Sequence, residues 1–224
     1  TVTGICFLPL WTPNVRPTNS GSIVDLLDGK SPITDLVHVT PSGVKLIPGG
    51  SGVLDIMNID SKKRWEVIKS VGYLKNDLDF LFVDTPAGAS DSSIEFAAAC
   101  DKIIIVLVGE PTSFMDAYAF IKALSIEKNI DSVSIVVNMA NDAADALNSY
   151  NSFQKIVLKF LSIDLKFVGW LPQSKAISNS IVARKPFVLN KKANSNLAVR
   201  IADILQKVKE AGTVKSNSIK FFDK

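Results

Sequence analysis

The sequence predicts an α/β protein in which a doubly wound, mostly parallel sheet is flanked by helices. Three observations carry this expectation. Short apolar runs rich in β-branched residues recur along the chain, as strands covered on both faces require. Segments with apolar residues at a 3.6-residue period lie between them, which suits helices packed on a sheet. Strand and helix then alternate at spacings that imply right-handed crossovers.

Residues 1–21 stand outside this rhythm. Pro9, Pro13 and Pro17 remove backbone donors and discourage regular structure. Only Ile5–Leu10 has the make-up of a strand there, a short one at a sheet edge. Val44–Pro48 is an apolar strand closed by the turn signal Gly49-Gly50-Ser51-Gly52. Asp60–Lys75 reads as a helix. Phe80–Val83, Ile103–Val108 and Val133–Val137 are continuous apolar strands, and Leu165–Trp170 is a weaker fourth. Thr112 or Ser113 offers a cap for a helix whose apolar positions are Phe114, Ala117, Tyr118, Ile121 and Leu124. Phe153, Ile156, Val157, Phe160 and Leu161 form a second helical stripe, and Leu197, Ile201, Ile204, Leu205 and Val208 a third. No repeat or linker divides residues 22–211, which read as one α/β domain followed by a tail at 212–224.

Composition narrows the function. The 224 residues are 47% hydrophobic and 21% charged, which excludes collagen-like and generally disordered chains. Two cysteines and a single histidine, His38, exclude a disulfide scaffold, a four-cysteine zinc site and clustered histidine ligands. No apolar run approaches the ~20 residues of a spanning helix, and no charged leader precedes an apolar core, so secretion has no support. Twenty-five basic against 22 acidic residues do not make a nucleic-acid binder.

In an open parallel sheet, ligands gather beyond the carboxyl ends of the strands. The strand at Phe80–Val83 delivers Asp84, followed by Thr85-Pro86-Ala87-Gly88. A carboxylate there suits Mg²⁺, and a mobile glycine suits a loop that senses a terminal phosphate. The same stretch also reads as a plain proline-containing turn. Asn138 ends the Val133–Val137 run; its amide offers both donor and acceptor to the edge of a base, or else begins a turn. Pro172 and Gln173 follow the last strand, where a rigid proline shapes either a base pocket or a turn.

A phosphate-binding loop is not visible. Gly29-Lys30-Ser31 has the right last three residues, but Val24 occupies the position of the first glycine, Leu26 and Leu27 fill the loop, and Pro32 follows. Gly49-Gly50-Ser51-Gly52 has no lysine after it. His38 reads as structural or surface. Ser90, Ser92 and Ser93 lack a nucleophile-elbow context and a nearby histidine. In the tail, Ile219, Phe221 and Phe222 beside Lys220 and Lys224 offer a weak membrane contact, or a segment that docks on the domain.

Several blocks together resemble one family. Asp84-Thr85-Pro86-Ala87-Gly88 resembles the switch II segment of the MinD/ParA group of deviant P-loop ATPases. Gly109–Tyr118, continuing to Ile121-Lys122, is similar to one branch, the MinD-like regulators of flagellar number and placement (FlhG, FleN or YlxH). Val136–Ala140, Gly169–Pro172, Ala183–Phe187, Val24–Leu27 and Gly43–Gly52 are similar to further blocks of that branch, so the likeness covers roughly residues 22–208. The family opens with a strand, a lysine-bearing P-loop and a helix that this chain does not display, so the N-terminal portion of the fold is incomplete. Met139 and Ser174 stand where relatives often carry Arg and Asp.

The resemblance implies a P-loop NTPase-like fold, binding of ATP or ADP with Mg²⁺, and a switch that regulates flagellar biosynthesis. It implies ATP hydrolysis as the activity, although no P-loop is present. Asp84 would hold Mg²⁺, Gly88 would lie in switch II, and Asn138, Pro172 and Gln173 would frame the base. The implied partners are a second copy in the ATP-bound state, the signal-recognition-particle-type flagellar GTPase, flagellar basal-body proteins and, transiently, the inner membrane; the implied place is the cytoplasm. The alternatives are a non-catalytic remnant that keeps the partner-binding surface, and a ParA-like partitioning ATPase.

Overall fold

The computed structural model describes residues 4–8, 21–40, 42–49, 59–183, 185–189 and 195–222. The chain forms two compact units, one made of Thr1–Cys100 with Ser218–Lys224 and the other of Asp101–Asn217.

In the first unit, strands β1 (Gly4–Leu8), β2 (His38–Val39), β3 (Lys45–Pro48) and β4 (Phe80–Val83) form a sheet in the order β2-β3-β1-β4. β1 runs parallel to both β3 and β4, while β2 is antiparallel to β3. The Ile5–Leu10 run therefore supplies a central strand, Gly4–Leu8, and not the expected edge; its apolar residues find a parallel neighbour on each side. Pro9, Pro13 and Pro17 lie outside the described residues.

Helices α1 (Ile23–Leu27), α2 (Ser61–Gly72) and α3 (Asp91–Ala98) belong to this unit. Asp60 caps α2 by accepting from the Lys63 N–H at 2.9 Å, and Val67, Ile68 and Val71 bury its inner stripe. The helix expected over Asp60–Lys75 ends at Gly72 because the chain tightens into a 3₁₀ turn at Lys75–Asp77. The core joins these residues to Ile23, Leu36 and Ile47.

The C-terminal segment belongs to that core. Phe221 is 5% exposed and Phe222 packs against the same cluster, as the docking alternative for the tail expects and the membrane-contact alternative does not; of the three residues only Ile219 is exposed. The physical reason is an available apolar socket and a set of carbonyls at the end of α3, both of which the tail satisfies.

In the second unit, β5 (Ile104–Val108), β6 (Ser132–Ala140) and β7 (Asp164–Pro172) form an all-parallel sheet in the order β5-β6-β7. Helices α4 (Pro111–Lys128), α5 (Ala143–Leu158), α6 (Lys175–Ala183) and α7 (Ser195–Glu210) accompany it. The start of α4 differs from expectation. Pro111 sits in its first turn and Glu110 at its N-cap, because proline's fixed φ suits that position. Ser113 turns back to accept from the Val108 N–H at 3.0 Å. Asp142 caps α5 by accepting from Asp145 N–H at 2.8 Å.

Burial also separates the strands. β6 has neighbours on both sides and is buried along most of its length. β4 and β5 end their sheets, and their alternate residues stay open: Phe82 is 46% exposed and Val106 58%. Sequence alone expects all three to be covered on both faces. α7 lies on β7, where Val136, Val168, Ile204 and Val208 form one cluster. Its carboxyl end is met by two lysines: Lys166 Nζ donates to Ala211 O at 2.6 Å, and Lys102 Nζ to Lys209 O and Gly212 O at 3.0 and 2.7 Å. Cations at that end complement the helix dipole.

Candidate functional site

The first unit presents the loop from Asp84 to Ala89 at the carboxyl end of β4. The Asp84 carboxyl reaches solvent, yet enough protein surrounds it for desolvation to raise its pKa above the ordinary value. Gly88 adopts φ +96°, a conformation that costs glycine little. α3 begins just beyond the loop. Ser90 caps it by accepting from the Ser93 N–H at 3.2 Å. Ser90 Oγ also donates to Ser93 Oγ at 2.9 Å, and Ser93 Oγ donates onward to the Pro86 carbonyl at 3.4 Å. These serines thus tie the loop to the helix. Sequence reasoning missed that role; its one signal was a serine placed three residues before another at a helix start.

The second unit gathers the other three candidates. Asn138 lies in register with Val108 on β5, and Ala140 with Pro172 on β7. Gln173 N–H donates to Ala140 O at 3.3 Å. Asn138, Pro172 and Gln173 therefore meet at the carboxyl ends of β6 and β7. Asn138 Oδ1 accepts from Met139 N–H at 3.0 Å. Met139 carries φ +59°, a conformation uncommon for a side chain of its kind, and the pairing register slips between Val137 and Ala140.

The remaining sequence candidates resolve differently. Gly29-Lys30-Ser31 is the turn that ends α1: Gly29 has φ +69°, and Lys30 Nζ pairs with Asp28 at 2.7 Å. His38 sits on β2 with its buried Nε2 lacking a hydrogen-bond partner among the described residues. Gly50, Ser51, Gly52 and Arg184 lie outside the described residues. For a magnesium nucleotide, the fit is thus divided. A solvent-reaching carboxylate with a raised pKa suits the metal, and an amide and a proline at the carboxyl ends of neighbouring strands suit a base, whereas no glycine-rich loop with a lysine is found among the described residues for the phosphates.

Residues 65–209 match the ParA family model, described as NUBPL iron-transfer P-loop NTPase. The chain is 28% identical over 164 residues to the antiactivator FleN of Pseudomonas aeruginosa, covering 73% of this chain and 59% of that protein. It is 27% identical over 177 residues to the flagellum site-determining protein YlxH of Helicobacter pylori, covering 79% and 59%. The chain thus spans about three-fifths of the length of these curated relatives. The septum site-determining protein MinD of Pyrococcus horikoshii, solved with Mg-ADP, shares the fold at a TM-score of 0.65 and 18% identity, over 94% of this chain and 84% of that one.

Proposed function

The chain belongs to the ParA family of P-loop NTPases, and from that membership we propose that it is part of a MinD-like, ATP-dependent switch regulating flagellar number and placement. The observation that carries this reading is the Asp84–Gly88 loop at the carboxyl end of β4, within the matched span. The likeness to FleN and YlxH supports the flagellar role.

In this reading Asp84 meets Mg²⁺ once ionised, and Gly88 lets the loop change course when a terminal phosphate arrives or leaves. Ser93 holds the loop at Pro86, so movement of Gly88 is passed to the start of α3. Asn138 Nδ2 donates to a base ring nitrogen or carbonyl, with Pro172 as a rigid wall and Gln173 beside it. The bound nucleotide supplies the phosphate whose presence distinguishes the two states. No lysine-bearing phosphate cradle is found among the described residues. The reading further predicts that ATP pairs two copies, and that the partners are a signal-recognition-particle-type GTPase and basal-body proteins. It sets the protein in the cytoplasm, with transient contact at the inner membrane.

The absent lysine-bearing loop favours one other reading, a partner-binding remnant that no longer holds ATP. Thermal unfolding with Mg-ATP separates the two. A ligand at 100 times its Kd stabilises by about 2.7 kcal/mol. A shift lost in Asp84→Asn and Asn138→Ala supports the switch; no shift at saturating Mg-ATP, in the chain or in the protein extended to include a P-loop, supports the remnant. Deleting the gene and counting flagella tests the cellular role, and unchanged filaments would count against it.

A further inference from the structure

Helix α2 turns Val67, Ile68 and Val71 toward the core of the first unit, and its outer side carries a different chemistry. Lys62, Lys69 and Tyr73 fall within about 40° of one another at about 100° per residue, and Trp65 stands about 40° beyond Lys69. They form one strip about 16 Å long. Trp65 is 39% exposed and Tyr73 82%, and the three lysines of the helix, Lys62, Lys63 and Lys69, are all exposed. Lys69 Nζ stands 3.9 Å from the Trp65 ring centroid, so a cation and a ring are presented together.

The charges of this helix are unequal. Arg64 turns inward, where it pairs with Glu95 and donates to the Ile59 carbonyl at 2.5 Å. The one carboxylate of α2, Glu66, is half-buried between Lys62 and Lys69, so three exposed cations stand against it. Trp65 and Tyr73 each join an apolar body to a polar tip, the make-up enriched at the headgroup level of a bilayer. The C-terminal tail does not compete for this part. Phe221 lies in the core, and Lys220 donates to the Ala98 and Cys100 carbonyls.

We propose that this strip of α2 lies against an anionic phospholipid surface, with Trp65 and Tyr73 at headgroup depth and Lys62, Lys63 and Lys69 toward the lipid phosphates. The outer side of a single helix is convex, which suits a flat surface better than it suits a peptide that needs a groove. Glu66 limits the attraction, so the contact is reversible and weakens with salt. The proposal rests on the membrane contact of the reading above and gives it a face; it does not involve the nucleotide.

The test uses the 224-residue chain with vesicles of phosphatidylglycerol in phosphatidylethanolamine, vesicles of phosphatidylcholine, and a single-stranded oligonucleotide. The phosphatidylglycerol vesicles should bind the chain and release it at high salt. Brominated lipids should quench tryptophan fluorescence, and Trp65→Phe should remove that quenching while most of the binding remains. Lys62→Glu with Lys69→Glu should weaken vesicle binding by about tenfold. Tyr73→Ser, at an exposed position, should weaken it by about fivefold with the helical signal intact. Anionic-vesicle binding that these variants leave unchanged would overturn the α2 face and leave a membrane contact elsewhere on the chain. No binding to anionic vesicles would overturn the face and the membrane contact together, whatever the Mg-ATP result. Equal binding to phosphatidylcholine would overturn the role given to the lysines. Oligonucleotide binding that the double lysine variant abolishes, without vesicle binding, would overturn the proposal in favour of nucleic acid.

Discussion

The Phe221 ring stacks on Phe96, with centroids 6.4 Å apart and planes 17° from parallel. Beside it, Phe221 N–H donates to Ala99 O at 3.1 Å, and Lys220 Nζ donates to Ala98 O and Cys100 O at 3.0 and 2.7 Å. The last described residues thus satisfy the carbonyls at the end of α3 and fill its apolar flank. Phe221→Ala should cost about 3–5 kcal/mol, as for a buried phenylalanine. Lys220→Met should cost less, about 1–2 kcal/mol, through the lost dipole and hydrogen-bond complement. Chemical denaturation measures both. Phe221→Ala should leave liposome co-sedimentation no lower than in the parent chain; a loss of lipid binding with stability unchanged would contradict the packing role.

The contrast between this tail and the strands shows what a sequence displays. Phe80–Val83 is legible to the residue because an apolar run stops at an acid. Asp84 and Asn138 are legible as candidates for the same reason: each is the first polar residue after an apolar run. β1 is not legible as a central strand, since its place depends on pairing with segments some forty and seventy-five residues away. Nor is the open side of β4 and β5, because which strand ends a sheet is a matter of topology. The helix cap at Glu110 was hidden by two better-looking residues, and Pro111 decides it. The Ser93–Pro86 bond lies across a loop whose path no pattern prescribes.

Gly169 makes room for α7. A Cβ built there would stand 2.6 Å from Ile204 Cγ1, and the backbone has φ +148°. Gly169→Ala therefore combines a clash with strain and should cost about 2–4 kcal/mol. Adding Ile204→Ala should restore part of the loss, since it removes the clash and leaves the strain. A double-mutant cycle on urea midpoints reads the coupling; strictly additive losses would show that Ile204 is not what the new methyl meets.

Asp84 sets a pH dependence. Desolvation raises its carboxyl pKa in the folded chain above the ordinary 3.8, so the folded state holds this proton more tightly than the unfolded state does. The group's contribution is unpenalised below the unfolded value, and stability falls as pH rises through the folded value. The cost then persists to neutral pH. Asp84→Asn should raise Tm at neutral pH, and the difference should close as the solution is acidified below pH 3.8. Saturating MgCl₂ should reverse the order if the metal binds the carboxylate, by stabilising the parent chain alone. An Asn variant with an unchanged Tm at every pH would show that the carboxyl is not desolvated.

Ser93 is the residue on which the candidate switch loop can be tested apart from any nucleotide. It is almost fully buried, receives a hydrogen bond from Ser90 Oγ and gives one to the Pro86 carbonyl. Ser93→Ala leaves that carbonyl and the Ser90 hydroxyl each short of a partner, at a cost of about 1–3 kcal/mol, while α3 keeps its cap because the Ser93 backbone N–H still donates to Ser90. Ser90→Ala removes the cap as well, for about 0.5–2 kcal/mol. The two variants should therefore differ in where they loosen the chain. Ser93→Ala should speed amide exchange at Ala87 and Gly88 ahead of the helix, whereas Ser90→Ala should also speed it across the first turn of α3. Faster exchange throughout α3 in Ser93→Ala, with the loop unchanged, would mean that the serine supports the helix and does not restrain the loop.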